Sequence, residues 1–147
     1  MSVVADIFTS IQSTVVSELP AGFKKLRRVV GLHESDFKES ISGGWGVIHR
    51  SSSTVEGVTK WVTMDQAFSV VLAEAYVDKL SDDNAQAAVN NLHTYSEAIF
   101  CKLVNTKAGV PSNVLLVGGL DFGEPEYLDN AVALTFNFVV KFRKQLS

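Results

Sequence analysis

Leu134, Phe136, Phe138, Val140 and Phe142 alternate with Thr135, Asn137, Lys141 and Arg143 along the last stretch of the chain. Successive side chains of a strand point to opposite faces, so this spacing predicts one buried face and one wet face. Val58 to Val77 repeats the pattern. Val62, Met64, Gln66, Phe68, Val70 and Leu72 share one side, and Trp61, Thr63, Asp65, Ala67, Ser69 and Val71 the other. The segment exceeds the usual strand length of about five or six residues, which predicts a bend or bulge midway. Trp45 to Arg50 reads as its hairpin partner, joined through a serine-rich tip at Ser51–Gly57. Lys24 to Val30 reads as a further strand or strand-like connector, and Val114 to Val117 as a short apolar strand before a bend at Gly118–Gly119.

Two stretches carry helical spacing instead. Val4, Ile7, Phe8, Ile11 and Val15 form one stripe over residues 3 to 19, and Pro20–Ala21–Gly22 stops it. Ser81–Asp82–Asp83 offers short acceptor side chains and negative charge at a helix start. That helix runs to about Asn105 with Val89, Leu92, Ser96, Ile99, Phe100 and Leu103 inward, and Gly109 fits its C′ position. The order of elements predicts an α+β fold: a mostly antiparallel β-sheet, two main α-helices packed on one face, and a long protruding β-hairpin.

Composition narrows the class. A chain of 147 residues, 46% hydrophobic and 20% charged, is globular and fits a single domain over residues 1–147. The net charge of −3 argues against a dedicated nucleic-acid binder, while leaving room for a local basic patch. The single Cys101 cannot form an internal disulfide, which suits a reducing cytoplasm. No apolar run reaches the roughly 20 residues of a membrane span, and the N-terminus does not read as a secretory signal. A mean hydropathy of +0.16 suits a chain that buries apolar surface against copies of itself.

The residue types that carry chemistry are scattered. His33, His49 and His93 lack ligand-like spacing. Cys101, between Phe100 and Leu103, reads as a packed core residue. Asp121, Glu124, Glu126 and Asp129 read as a solvated charged corner around Pro125. The glycines at 43, 44 and 46 and at 118 and 119 lack the lysine and helix of a phosphate cradle. The run Lys24, Lys25, Arg27 and Arg28 is the strongest charge feature: a phosphate or acidic-partner contact, or a solvated edge strand. Trp45 and Trp61 are core anchors or interface anchors. With Lys141 and Arg143 on the wet face of the last strand, these residues form the set of candidate interface or channel contacts.

The succession of elements resembles the tail terminator (tail-to-head joining, or tail completion) proteins of long-tailed bacteriophages. The matching parts are the N-terminal amphipathic helix and the hairpin entering Trp61–Val70. They continue with the helix beginning Asp82–Asp83–Asn84–Ala85, the Gly-Glu-Pro-Glu corner at Gly123 to Glu126 and the closing strand Ala131 to Arg143. The resemblance covers most of the chain through element order and residue type. It implies a structural virion protein without catalytic residues or cofactors, forming a ring, commonly a hexamer. The ring caps the tail tube, halts its polymerisation and gives the head or neck its docking surface. The implied partners are further copies of the chain, the tail tube protein and a neck or head-completion protein, with no membrane. Such a protein assembles in the host cytoplasm and resides at the tail–neck junction of the virion, where genomic DNA passes through the channel; the sequence leaves open whether the basic segment touches it. The alternatives are another neck or head–tail connector component, and a small α+β ligand-binding or enzyme domain. The last would need a polar group facing the core, for which Gln66 is the candidate.

Overall fold

A computed structural model describes residues 2–27, 29, 32, 42–58, 60–76 and 81–145. Its elements are α1 (Val3–Glu18), β1 (Phe23–Lys25), β2 (Gly43–Val58), β3 (Trp61–Ala75), α2 (Asp82–Asn105), β4 (Val114–Phe122), β5 (Glu126–Tyr127) and β6 (Ala131–Gln145). The fold is α+β, with both helices on one face of a mostly antiparallel sheet. Among the described residues the strand order is β1-β2-β3-β6-β4, with β5 also pairing β6, and β1 is parallel to β2.

Each helix begins on a side-chain cap. The Ala5 amide donates to Ser2 Oγ, and the Asn84 amide donates to Ser81 Oγ at 3.1 Å, satisfying donors that the first turn leaves free. The pre-proline residue Leu19 takes an extended conformation, which ends α1 before Pro20. α2 ends differently from expectation: Thr106 is its cap, and a 3-10 turn follows at Lys107–Gly109. Lys107, Ala108 and Gly109 have φ of 50°, 52° and 71°. A Cβ on Gly109 would sit 1.9 Å from Ser10 Oγ, so glycine there serves both the left-handed backbone and the close seat against α1.

The strongest expectation concerned the closing strand, and the structure bears it out. Leu134, Phe136, Phe138, Val140 and Phe142 are buried, facing Phe68, Val70 and Leu72 of β3 beneath Ile7, Ile11 and Val15 of α1 and Leu92, Ile99 and Leu103 of α2. Burying each such side chain contributes about 1.5–3 kcal/mol, so this layer dominates folding. The β3–β6 ladder is unbroken from Trp61↔Gln145 to Ala75↔Ala131. A smaller apolar cluster lies on the helix-free face, where Leu26, Val29 and Leu32 pack over Val71, Ala73, Ala131 and Ala133. Glycine makes that cover possible: a Cβ at Gly44 would lie 2.3 Å from Leu26 Cδ2, and one at Gly46 2.0 Å from Val29 Cγ1.

Four expectations need correction. Ser51–Gly57 is not a tip; β2 runs through it and pairs with β3 at Ser52↔Gln66, Ser53↔Asp65 and Thr54↔Met64. The irregularity expected in β3 lies in its partner: β2 carries the extra residues, between His49 and Ser52 and between Thr54 and Glu56. Gly118–Gly119 is not a bend between elements but a bulge inside β4, with Gly119 at φ 69°. Of the strand expected over Lys24 to Val30, β1 covers Lys24 and Lys25. The Leu26 amide still donates to the Trp45 carbonyl while its side chain covers the helix-free face, and Arg28 and Val30 lie outside the described residues.

Candidate assembly surface

Of the eight residues singled out in the sequence, the seven described fall into two groups at opposite ends of the sheet. Lys24, Lys25 and Arg27 are exposed on and beside the edge strand β1, while Arg28, like His33, lies outside the described residues. Trp45 is a core anchor. It is buried in the main cluster, and the Lys25 ammonium lies over its ring at 5.9 Å.

The second group is Trp61, Lys141 and Arg143. β3 separates the row of Lys24 (through Gly44↔Ala73) from Trp61 by twelve residues, roughly 40 Å at the rise of a strand. Trp61 is 40% exposed, and the Arg143 guanidinium stacks over its ring at 5.0 Å. Both project from the helix-free face, since they share parity with Ser69 and Asn137 rather than with Phe68 and Phe138. Lys141 pairs across the ladder with Asp65, whose Oδ1 is buried without a hydrogen-bond partner among the described residues. Further along the same face Arg50 Nε donates to Ser69 Oγ at 2.8 Å, and Ser69 Oγ donates to Asn137 Oδ1. Ser69 is fully buried and Thr135, Asn137 and Lys141 are half-buried, so this polar chain gives the polar side of the alternation its partners. Of the residues expected to be wet only Arg143 is exposed. It ties β2, β3 and β6 together where no helix covers them.

Sequence reasoning missed the apolar residues on the free edge. Leu115, Leu116 and Leu120 of β4 are all exposed, Leu116 at 59%. The register slips between Val114 and Leu116 and again between Gly118 and Asp121, so β4 cannot keep its apolar residues on the helix side. Leu116 pairs with Lys141 and so shares the helix-free face with Trp61 and Arg143 at the same end of the sheet. Four consecutive apolar residues, Val114–Val117, were the available signal: two had to point outward in any strand.

The remaining candidates are dispersed. His49 stacks on Phe8 with ring centroids 4.1 Å apart, and His93 packs on Phe122. Cys101 is exposed, not in the core as expected. Gln66 does face the core side, but it is spent on structure: its carboxamide donates to the carbonyls of Arg50 and Ala67. Asp121, Glu124, Glu126 and Asp129 are exposed, as the solvated-corner reading requires. Among the described residues no group of three or more His, Cys, Asp and Glu is placed to hold a metal ion, and no helix is long and apolar enough to cross a membrane. Comparison with family models and with curated proteins finds no match to this chain.

Proposed function

We propose that the chain is a subunit of a ring, commonly of six copies, that caps the tail tube of a long-tailed bacteriophage. In this reading it stops tube polymerisation and provides the surface on which the head or neck docks. The observation that carries it is the outward apolar patch at the end of the β2–β3 hairpin: Trp61 under Arg143, with Leu116 beside Lys141. Tryptophan and arginine are the residue types that anchor interfaces, and exposed apolar groups gathered at one end of a sheet mark a docking surface. The α+β architecture, a helix pair against one sheet, is also the one that the tail terminator resemblance implies.

Binding of a small molecule under α2 has less support. The polar group such a pocket would use, Gln66, already has both carboxamide hydrogens engaged by backbone carbonyls. The test is direct. Purified protein is sized by light scattering alone and with isolated tail tubes, and the mixture is imaged by electron microscopy. Rings seated on tube ends support the proposal. Protein that neither assembles nor binds tube ends overturns it.

A further inference from the structure

The two edges of the sheet carry opposite charge, and the register places them at the two ends of one row. Lys24 pairs with Gly44, Gly44 with Ala73, Ala73 with Ala133, and Ala133 with Glu126. Four interstrand steps of about 4.8 Å separate the two ends by roughly 19 Å. Lys24, Lys25 and Arg27 are exposed at one end; Asp121, Glu124, Glu126 and Asp129 are exposed at the other.

Among the described residues β1 pairs only with β2, and β5 only with β6. β1 runs parallel to β2, and each later step to β3, β6 and β5 reverses direction. β1 and β5 are therefore antiparallel. A second copy displaced along the row presents its β1 to the first copy's β5 in the orientation that extended edges use when they pair. The acidic edge also carries Tyr127, 56% exposed, beside Glu126. Behind it the Tyr76 hydroxyl is buried with no hydrogen-bond partner among the described residues. Burial first, then neighbouring Tyr127 and Asp129, raise the pKa of that hydroxyl above the ordinary tyrosine value.

We propose that the basic β1 edge of one copy docks on the acidic β5 edge of the next, through Lys24, Lys25 and Arg27 against Glu124, Glu126 and Asp129. The occupant is a second copy of this chain because both complementary surfaces belong to it and lie in one register. One copy cannot satisfy its own edges, which face opposite ways. The contact is heterologous, and such contacts close into a ring when the rotation per copy divides a full turn. The proposal rests on the ring reading and specifies which surfaces make the ring.

Charge reversal tests it. One variant carries Lys24→Glu with Lys25→Glu, a second carries Glu124→Lys with Glu126→Lys, and a third carries all four changes. Sedimentation reads assembly, and circular dichroism confirms the fold of each. The wild type should assemble, and its assembly should weaken with added salt. Each one-sided variant should weaken assembly by at least about tenfold, and the four-fold reversal should restore it. An equimolar mixture of the two one-sided variants should also assemble, because their edges are complementary in alternation. One-sided variants that assemble like the wild type overturn the edge proposal and leave the ring reading standing. So does failure of both the four-fold reversal and the mixture to recover. A wild type that stays monomeric with and without tail tubes overturns both.

Discussion

The Gln66 carboxamide donates to the Arg50 carbonyl at 2.9 Å, across the point where β2 carries an extra residue. The same nitrogen donates to the Ala67 carbonyl at 3.0 Å, so one buried amide closes the gap that the bulge opens in the ladder. Gln66→Leu keeps the volume and removes both donors. Leaving a carbonyl without its donor costs about 1–2 kcal/mol, and urea denaturation should show a midpoint lowered to match. An unchanged midpoint would mean that water serves the bulge equally well.

Gly43→Ala should be more damaging than a glycine-to-alanine change in an ordinary strand. A Cβ there would lie 2.3 Å from the Ala73 carbonyl oxygen and 2.6 Å from the Phe23 ring. The carbonyl belongs to the ladder and cannot swing aside, so Phe23 and β1 must yield. Overpacking of this kind costs about 1–3 kcal/mol. Thermal unfolding measures the loss, and hydrogen exchange should place the added mobility in β1.

Glu74 gives the fold a pH dependence. Burial raises its pKa above the usual carboxylate value, partly offset by the hydrogen bond from Asn91. A group whose folded pKa is raised binds its proton more tightly in the folded state. Its contribution is therefore full below the unfolded value and is lost as pH rises through the folded one. Glu74→Gln removes that term. The stability of the wild type relative to this variant should fall as pH rises from below the ordinary glutamate range toward neutrality. A pH-independent difference would show that Glu74 is as well solvated folded as unfolded.

The helix-facing half of the sheet was legible in the sequence because its burial is one-sided. Phe68, Phe136, Phe138 and Phe142 keep strict parity along strands that β3 and β6 share without a slip. The edge strands were not legible. Ser51, Ser52 and Ser53 are exposed, and among the described residues β1 pairs only with Gly43–Trp45 of β2, so nothing demands apolar alternation, and a strand there looks like a loop. The exposure of Leu115 and Leu116 depends on β4 being an edge and on where its bulges fall, which pairing decides and local pattern does not. At the candidate surface, the sequence left Trp61 between core anchor and interface anchor, and its exposure is decided by its place at the end of the β3–β6 ladder on the helix-free face. The burial of Trp45 depended on its pairing with Leu72. The common row of Lys24 and Glu126 needed the full sheet order.

Cys101 illustrates the same point on a helix and gives a simple measurement. The inward stripe of α2 is Leu92, Ser96, Ile99 and Leu103, and Cys101 stands two residues from both Ile99 and Leu103. At about 100° per residue it is rotated roughly 200° from each, onto the outer face. A thiol reagent should titrate one cysteine in the native protein at a rate close to that in denaturant, with the circular dichroism unchanged. Protection of the thiol in the native protein would return it to the core or place it in a contact between copies.

Trp61 separates folding from function most cleanly. It lies at the end of the β3–β6 ladder on the helix-free face, half in solvent, and its ring meets the Arg143 guanidinium. Truncating an exposed residue of this kind should change stability by no more than about 1 kcal/mol. An interface anchor loses far more binding, about 2 kcal/mol or above when truncated, which is thirtyfold or more in affinity. Trp61→Ala should therefore keep its denaturation midpoint within that limit and lose most of its binding to tail-tube ends in a pelleting assay. Arg143→Ala should lose less, and Val62→Ala, on the opposite face of the same strand end, should bind as the wild type does. Equal binding by all three would remove the hairpin end from the docking surface and leave the charged edges as the place where this chain meets its partners.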